Sequence, residues 1–163
     1  MTRFALIIIA LLVTACGGPA PVKREPAPAK QVLVPADSGA RSDVVLYALG
    51  LLDIDYRFGG SNPSSGLDCS GMVSYIFEHA AGLKLPHSAY RMAQIGREIQ
   101  VDQLQPGDLV FFNTSGQPFS HVGIYIGRDQ FIHAPSTNGK IKTSSIRSGY
   151  YAVRLVAART LFE

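Results

Sequence analysis

The run LDCSGMVSYIFEHAAG, residues 67–82, joins a polar loop to a helix and puts a cysteine at the junction. Cys69, Met72, Val73, Ile76 and Ala80 recur three and four residues apart and so share one helical stripe. The helix is predicted to begin at Asp68 or Cys69. Gly82 suits its end, because glycine adopts the left-handed turn of a C-terminal cap. Upstream, Ser42 is a candidate cap with Asp43 in the first turn, and Val45, Ala48, Leu49 and Leu52 fall on one face. Downstream, residues 88–95 read as a short helix between Pro86 and Gly96. Beyond it the period changes. Pro106-Gly107-Asp108 is a turn, and residues 109–113, 121–126, 130–133, 140–144 and 153–159 read as strands. Helices first and strands later predict an α+β domain, with N-terminal helices packed on a mainly antiparallel sheet. No internal repeat is visible.

The chain has 163 residues, 47% hydrophobic and 17% charged, which fits one domain with a tail. That apolar content excludes a fully disordered chain. Two cysteines exclude a disulfide-stapled miniprotein. The net charge of +3 is unevenly placed. Arg3, Lys23, Arg24, Lys30 and Arg41 precede residue 42, and residues 42–163 carry ten basic and ten acidic side chains. A nucleic-acid-binding domain concentrates positive charge on its fold, so nucleic acid is not an expected partner. The basic linker suits proximity to an anionic lipid or polymer.

Residues 4–13, FALIIIALLV, follow a single basic residue, Arg3. Ten apolar residues are too few for a transmembrane helix, which needs about 20. They match the core of a secretory signal peptide over residues 1–15. Small residues lead to Cys16, and Val13-Thr14-Ala15-Cys16 resembles a bacterial lipobox. The resemblance implies cleavage before Cys16 and lipidation there; the other reading is an ordinary signal with a chance cysteine. Gly17 stands where aspartate often retains such lipoproteins in the inner membrane. By analogy the expected location is the outer membrane, facing the periplasm, or the cell membrane of a monoderm. Residues 16–41 contain Pro19, Pro21, Pro26, Pro28 and Pro35 and read as an extended tether with a reach of about 75 Å. The folded domain is expected over residues 42–163.

With Cys16 lipidated, Cys69 is the one free thiol. An exported lone thiol is open to oxidation. It is either a buried small hydrophobe or a reactive group. Its entry to a helix, where N–H groups and the dipole favour a thiolate, supports the second reading; a nearby Asp68 charge opposes it. On the strand at residues 121–126, His121, Gly123 and Tyr125 share one face and Val122, Ile124 and Ile126 the other. His133 follows on a neighbouring strand, where two imidazoles can meet. A general base needs an orienting partner, and a second imidazole can be one. A zinc site of Cys69, His121 and His133 has enough ligands, but no close-spaced CxxC or HxxxH pair accompanies it. The expectation carried forward is no metal and no cofactor. His79 and His87 read as surface or hydrogen-bonded residues.

YRFGG (56–60), LDCSGMVSYIF (67–77), LPHSAYRMAQIG (85–96), LQPGDLVFF (104–112), SHVGIYIG (120–127) and FIHAP (131–135) occur in this order. Together they resemble the NlpC-type cysteine peptidases of bacterial cell walls, and the layout is similar to that family's small lipoprotein murein endopeptidases. The resemblance implies a reduced papain-like core. It implies Cys69 as nucleophile, His121 as base and His133 as the orienting third member. It further implies Tyr56 at the oxyanion or substrate, and Asp68, Ser70 and Ser120 along the substrate groove. Two residues depart from the pattern: Phe58 replaces a frequent tryptophan, and His87 a frequent arginine. The implied substrate is the peptide of peptidoglycan, cut at the D-alanyl–diaminopimelate cross-link or at the γ-D-glutamyl–diaminopimelate bond, with the cross-link favoured. The expected partners are peptidoglycan and, through the lipid anchor, a membrane; the expected state is a monomer. A non-catalytic peptidoglycan-binding lipoprotein is the alternative.

Overall fold

The computed structural model describes residues 33–34, 39–136 and 139–163. The expected signal peptide, Cys16 and most of the expected tether lie outside the described residues. In chain order the elements are α1 (Ala40–Gly50), β1 (Ser61–Asn62), β2 (Gly66–Leu67), α2 (Cys69–Ala81), α3 (Ala89–Met92) and β3 (Arg97–Ile99). There follow β4 (Leu109–Phe112), β5 (His121–Gly127), β6 (Gln130–His133), β7 (Lys142–Ser145), α4 (Gly149–Ala152) and β8 (Leu155–Thr160). Six strands form one sheet in the order β3-β8-β4-β5-β6-β7, with every neighbouring pair antiparallel. β1 and β2 make a separate small hairpin leading into α2.

The alternation seen in the sequence decides which face of the sheet is covered. Leu109 and Phe111 of β4, with Val122 and Ile124 of β5, join Val44 and Ala48 of α1 and Met72, Val73, Ile76 and Phe77 of α2 in the larger core. Val110, Phe112, Tyr125, Phe131 and Ile146 form a second cluster on the opposite face. Burying each such phenylalanine contributes about 2 kcal/mol. Gly123 is required by this packing: a Cβ there would meet Phe131 Cδ2 at 2.5 Å.

Several boundaries move. α1 starts at Ala40, ahead of the expected cap at Ser42, and Gly39 occupies the capping position with φ 69°. Its buried residues are Ala40, Val44 and Ala48, a face rotated from the expected one; Leu49 is 41% exposed. Adjacent valines at 44 and 45 leave that phase ambiguous in sequence. Arg41, assigned to the linker, belongs to the fold. It pairs with Asp108 at 2.9 Å, donates to Thr160 Oγ1 at 3.0 Å and lies over the Phe162 ring. Val34 also belongs to the fold: its N–H donates to Leu161 O at 2.6 Å and its carbonyl accepts from the Glu163 N–H at 3.0 Å. The third helix shortens to Ala89–Met92, and a strand, β3, forms against β8 at residues to which no element was assigned. α4 was also not expected.

Candidate active site

α2 places the thiol. Asp68 is its N-cap, extended at φ −88° and ψ 178°, and Asp68 Oδ1 accepts the Gly71 N–H at 2.7 Å. Cys69 is the first helical residue. The first turn lies against the loop after β-bridged Tyr56: a Cβ on Gly71 would overlap the Gly60 carbonyl oxygen, and that same oxygen accepts the Asp68 N–H at 3.0 Å. Glycine at 71 is therefore what brings this loop onto the start of the helix.

Asp68 is the hub of the site. Only 9% exposed, it also accepts Ser70 Oγ at 3.0 Å and the Gly59 N–H at 3.0 Å. His87 Nε2 lies 2.9 Å from both of its carboxylate oxygens. His87, read in the sequence as surface or hydrogen-bonded, is thus hydrogen-bonded, and its partner is the residue that caps α2. The signal available was its departure from the family's arginine.

The imidazoles stand on the sheet. His121 opens β5 and is 4% exposed; His133 ends β6 and is fully buried. The register pairs Ile124 with Ile132, so Gly123 falls opposite His133 and His121 lies one diagonal step away. Nε2 of His121 is 2.9 Å from Nδ1 of His133, with the rings at 89° and centroids 5.1 Å apart. Nε2 of His133 continues to Ser144 Oγ at 2.9 Å. Ser144, on β7, was not singled out in the sequence, where a lone serine in a polar strand carries no signal. The N–H of Val122, next to His121, is among the groups that pull the Cys69 thiol down, so the sulfur lies close to the start of β5.

A cleft of about 310 Å³ lies over the thiol, lined by Tyr56, Asp68, Cys69, Ser70 and Ser120 together with Phe58, Tyr90 and Phe119. Tyr56, Asp68, Ser70 and Ser120 thus share this cleft with the thiol. Two of the hydroxyls are already engaged: Ser70 Oγ donates to Asp68, and Ser120 Oγ accepts the Thr114 N–H at 2.8 Å. Among the described residues, no three His, Cys, Asp or Glu side chains converge as a metal set. The His121–His133 bond directs two of the nitrogens at each other.

Burial sets the protonation states. It pushes the Cys69 thiol up to about 11, with the Asp68 charge adding to it and the N–H groups of Val122, Ser70 and Cys69 opposing. It lowers His121 to about 4 against the pull of Asp68. It lowers His133 to about 2, helped by His121 and Lys142. The helix N-terminus does favour a thiolate, as the sequence suggested, but desolvation outweighs it. All three shifts favour a neutral thiol and neutral imidazoles over a charged pair. Burial, then Cys69 and Asp68, raise the Tyr56 hydroxyl, which stays protonated as a donor.

Fold and site together define an α+β, papain-like domain built around a helix-borne cysteine and sheet-borne histidines. Four of its six motif blocks contribute to the cleft, through Tyr56 and Phe58, through Asp68, Cys69 and Ser70, through Ser88, Ala89 and Tyr90, and through Ser120. The chain belongs to the NlpC/P60 family, whose pattern matches residues 53–160. It is 42% identical over 110 residues to the murein DD-endopeptidase MepS/murein LD-carboxypeptidase of Escherichia coli K12, covering 68% of this chain and 57% of that protein. It is 37% identical over 168 residues to the probable endopeptidase NlpC of the same organism, covering 98% and 99%. The NlpC/P60 domain of the peptidoglycan hydrolase SagA superposes with a TM-score of 0.65 at 29% identity, covering 74% of this chain and 97% of that one. The chain spans 28%, 40% and 57% of the length of the first three curated relatives it matches.

Proposed function

We propose that this chain is a peptidoglycan hydrolase, a cysteine endopeptidase acting on murein stem peptides by acyl transfer. The observation that carries the reading is the 2.9 Å His121–His133 bond, with Cys69 and Ser120, the residue before His121, lining one cleft beside it. In the productive tautomer, His121 Nε2–H donates to His133 Nδ1 and His133 Nε2–H donates to Ser144 Oγ. This leaves His121 Nδ1 unprotonated and free to act as base. It takes the Cys69 proton as sulfur attacks the scissile carbonyl. Proton transfer at the moment of attack suits a site whose resting groups are both neutral. The Cys69 N–H and the Tyr56 hydroxyl are the oxyanion donors, and one such donor contributes about 3 kcal/mol. The C–N bond then breaks, and His121 returns the proton to the leaving amine. Water, deprotonated by His121, attacks the thioester, releasing a carboxylic acid and restoring the thiol.

The bond favoured is the D-alanyl–diaminopimelate cross-link, in keeping with the DD-endopeptidase name of the MepS relative. Lipidation at Cys16, with the tether beyond it, would hold a monomeric enzyme on the outer membrane facing the peptidoglycan; the lipobox-like residues 13–16 support this part. The test is a digest of sacculi and defined muropeptides by the detergent-solubilised full chain, beside Cys69→Ala, read by mass spectrometry. Loss of cross-linked dimers to intact monomers in the wild type alone is expected. Stems cut after D-glutamate would move the assignment to the γ-bond. Binding without turnover by both proteins would overturn the enzymatic reading in favour of a wall-binding lipoprotein. A chelator is expected to leave the rate unchanged; loss restored by zinc would overturn the thiol mechanism.

A further inference from the structure

One aromatic residue lies against both imidazoles and has no part in the chemistry above. Tyr151, in the single-turn α4, stacks on His121 with ring centroids 5.7 Å apart at 26°. It meets His133 edge-on at 4.6 Å and 76°. Its other sides contact Phe112 and Phe131, each at 5.1 Å, so the ring completes an aromatic box around the pair. The turn that holds it is clamped by Arg154. That guanidinium lies 3.7 Å from the Tyr150 ring centroid and donates to Tyr150 O at 2.7 Å, while the Arg154 N–H donates to Tyr151 O at 3.0 Å. Tyr150 thereby faces outward, 52% exposed, and Tyr151 inward.

We propose that Tyr151 is a positioning residue, whose ring walls the His121–His133 pair off from water and fixes the angle between the two rings. The proposal rests on the acyl-transfer reading. Desolvation is the largest cause holding both histidines neutral, and of the three rings against the pair Tyr151 alone comes from outside the sheet, since Phe112 and Phe131 are strand residues. The other groups acting on the pair are Asp68, just ahead of α2, on His121 and Lys142 of β7 on His133; Tyr150 and Cys69 act on Tyr151. None of them can exclude water from the ring faces.

The test compares Tyr151→Ala and Tyr151→Phe with wild type in the full chain. Four quantities are read: thermal midpoint, kcat and KM on a cross-linked muropeptide, the pH profile of kcat/KM, and the pH midpoint of Cys69 alkylation by iodoacetamide, mapped by mass spectrometry. Hydration should raise the base and lower the thiol. The expected Tyr151→Ala result is a kcat loss of about tenfold or more with KM within about threefold. Its acid limb should move up and its alkylation midpoint down, each by about a pH unit. Tyr151→Phe should recover most of kcat and both midpoints. A folded Tyr151→Ala protein that keeps the wild-type acid limb and alkylation midpoint would overturn the proposal, since simple loss of packing lowers only the thermal midpoint. Alkylation needs no murein, so a wild type inactive on muropeptides would sink the acyl-transfer reading separately.

Discussion

His121 Nε2 sits 2.9 Å from His133 Nδ1 across two antiparallel strands, with the rings perpendicular. The contact gives one imidazole a fixed tautomer and orientation. His133→Ala leaves His121 Nε2 buried without its partner, a loss of about 1–3 kcal/mol in stability. It should also lower kcat by about a hundredfold, because an unfixed base spends most of its time misaligned. His133→Asn, which can still accept from Nε2–H, should recover part of that rate. Steady-state kinetics on one muropeptide decides it; equal rates for His133→Ala and wild type would remove His133 from the mechanism.

Both imidazoles are buried neutral, so their folded values lie below the ordinary histidine value near 6.5. The unfolded chain therefore binds more protons than the native one below that pH. The stability held by these groups is complete above about 6.5 and is lost as pH falls, through about 4 for His121 and on towards about 2 for His133. Urea midpoints measured from pH 7 to pH 4 should fall, and fall less steeply in His133→Asn. Parallel curves for the two proteins would show that His133 is not the source of the acid sensitivity.

The parts of this arrangement that the sequence made legible are those with short-range period. α2 is announced by apolar residues at helical spacing between Asp68 and Gly82, and β5 by strict alternation from His121. The meeting of His121 and His133 follows from that alternation plus one turn. Long-range partners left no such trace. Arg41 looks like linker charge until Asp108, 67 residues on, is seen to receive it. β3 has one apolar residue in Arg97–Ile99 and exists because β8 offers it an edge. His87 reaches Asp68 across 19 residues, and Tyr151 owes its place to the Arg154–Tyr150 clamp.

Asp68 does two separable jobs. As a carboxylate it accepts the capping N–H of Gly71; as a charge it raises the Cys69 thiol. Asp68→Asn keeps an acceptor at the cap and removes the charge. Its thermal midpoint should drop modestly, as asparagine caps nearly as well as aspartate, whereas Asp68→Ala should cost about 1 kcal/mol more. In both variants the alkylation midpoint of Cys69 should move to lower pH, since a raising influence has gone. An unchanged midpoint in Asp68→Asn would mean that burial alone sets the thiol.

The tightest steric demand at the site falls on Gly71, in the first turn of α2. An alanine there drives its Cβ into the Gly60 carbonyl oxygen and to 3.0 Å from His87 Nε2. The carbonyl is backbone and is already fixed by the Asp68 N–H, so it cannot turn aside cheaply. Helix propensity alone would make Gly71→Ala stabilising by about 1 kcal/mol. Overpacking of about 1–3 kcal/mol runs against it and should win. The expected outcome is a lower thermal midpoint together with a loss of activity larger than the unfolded fraction explains, because the displaced loop carries Tyr56 and Gly59. A Gly71→Ala protein that is more stable than wild type, with full activity, would mean that the loop after Tyr56 is free to move away from α2.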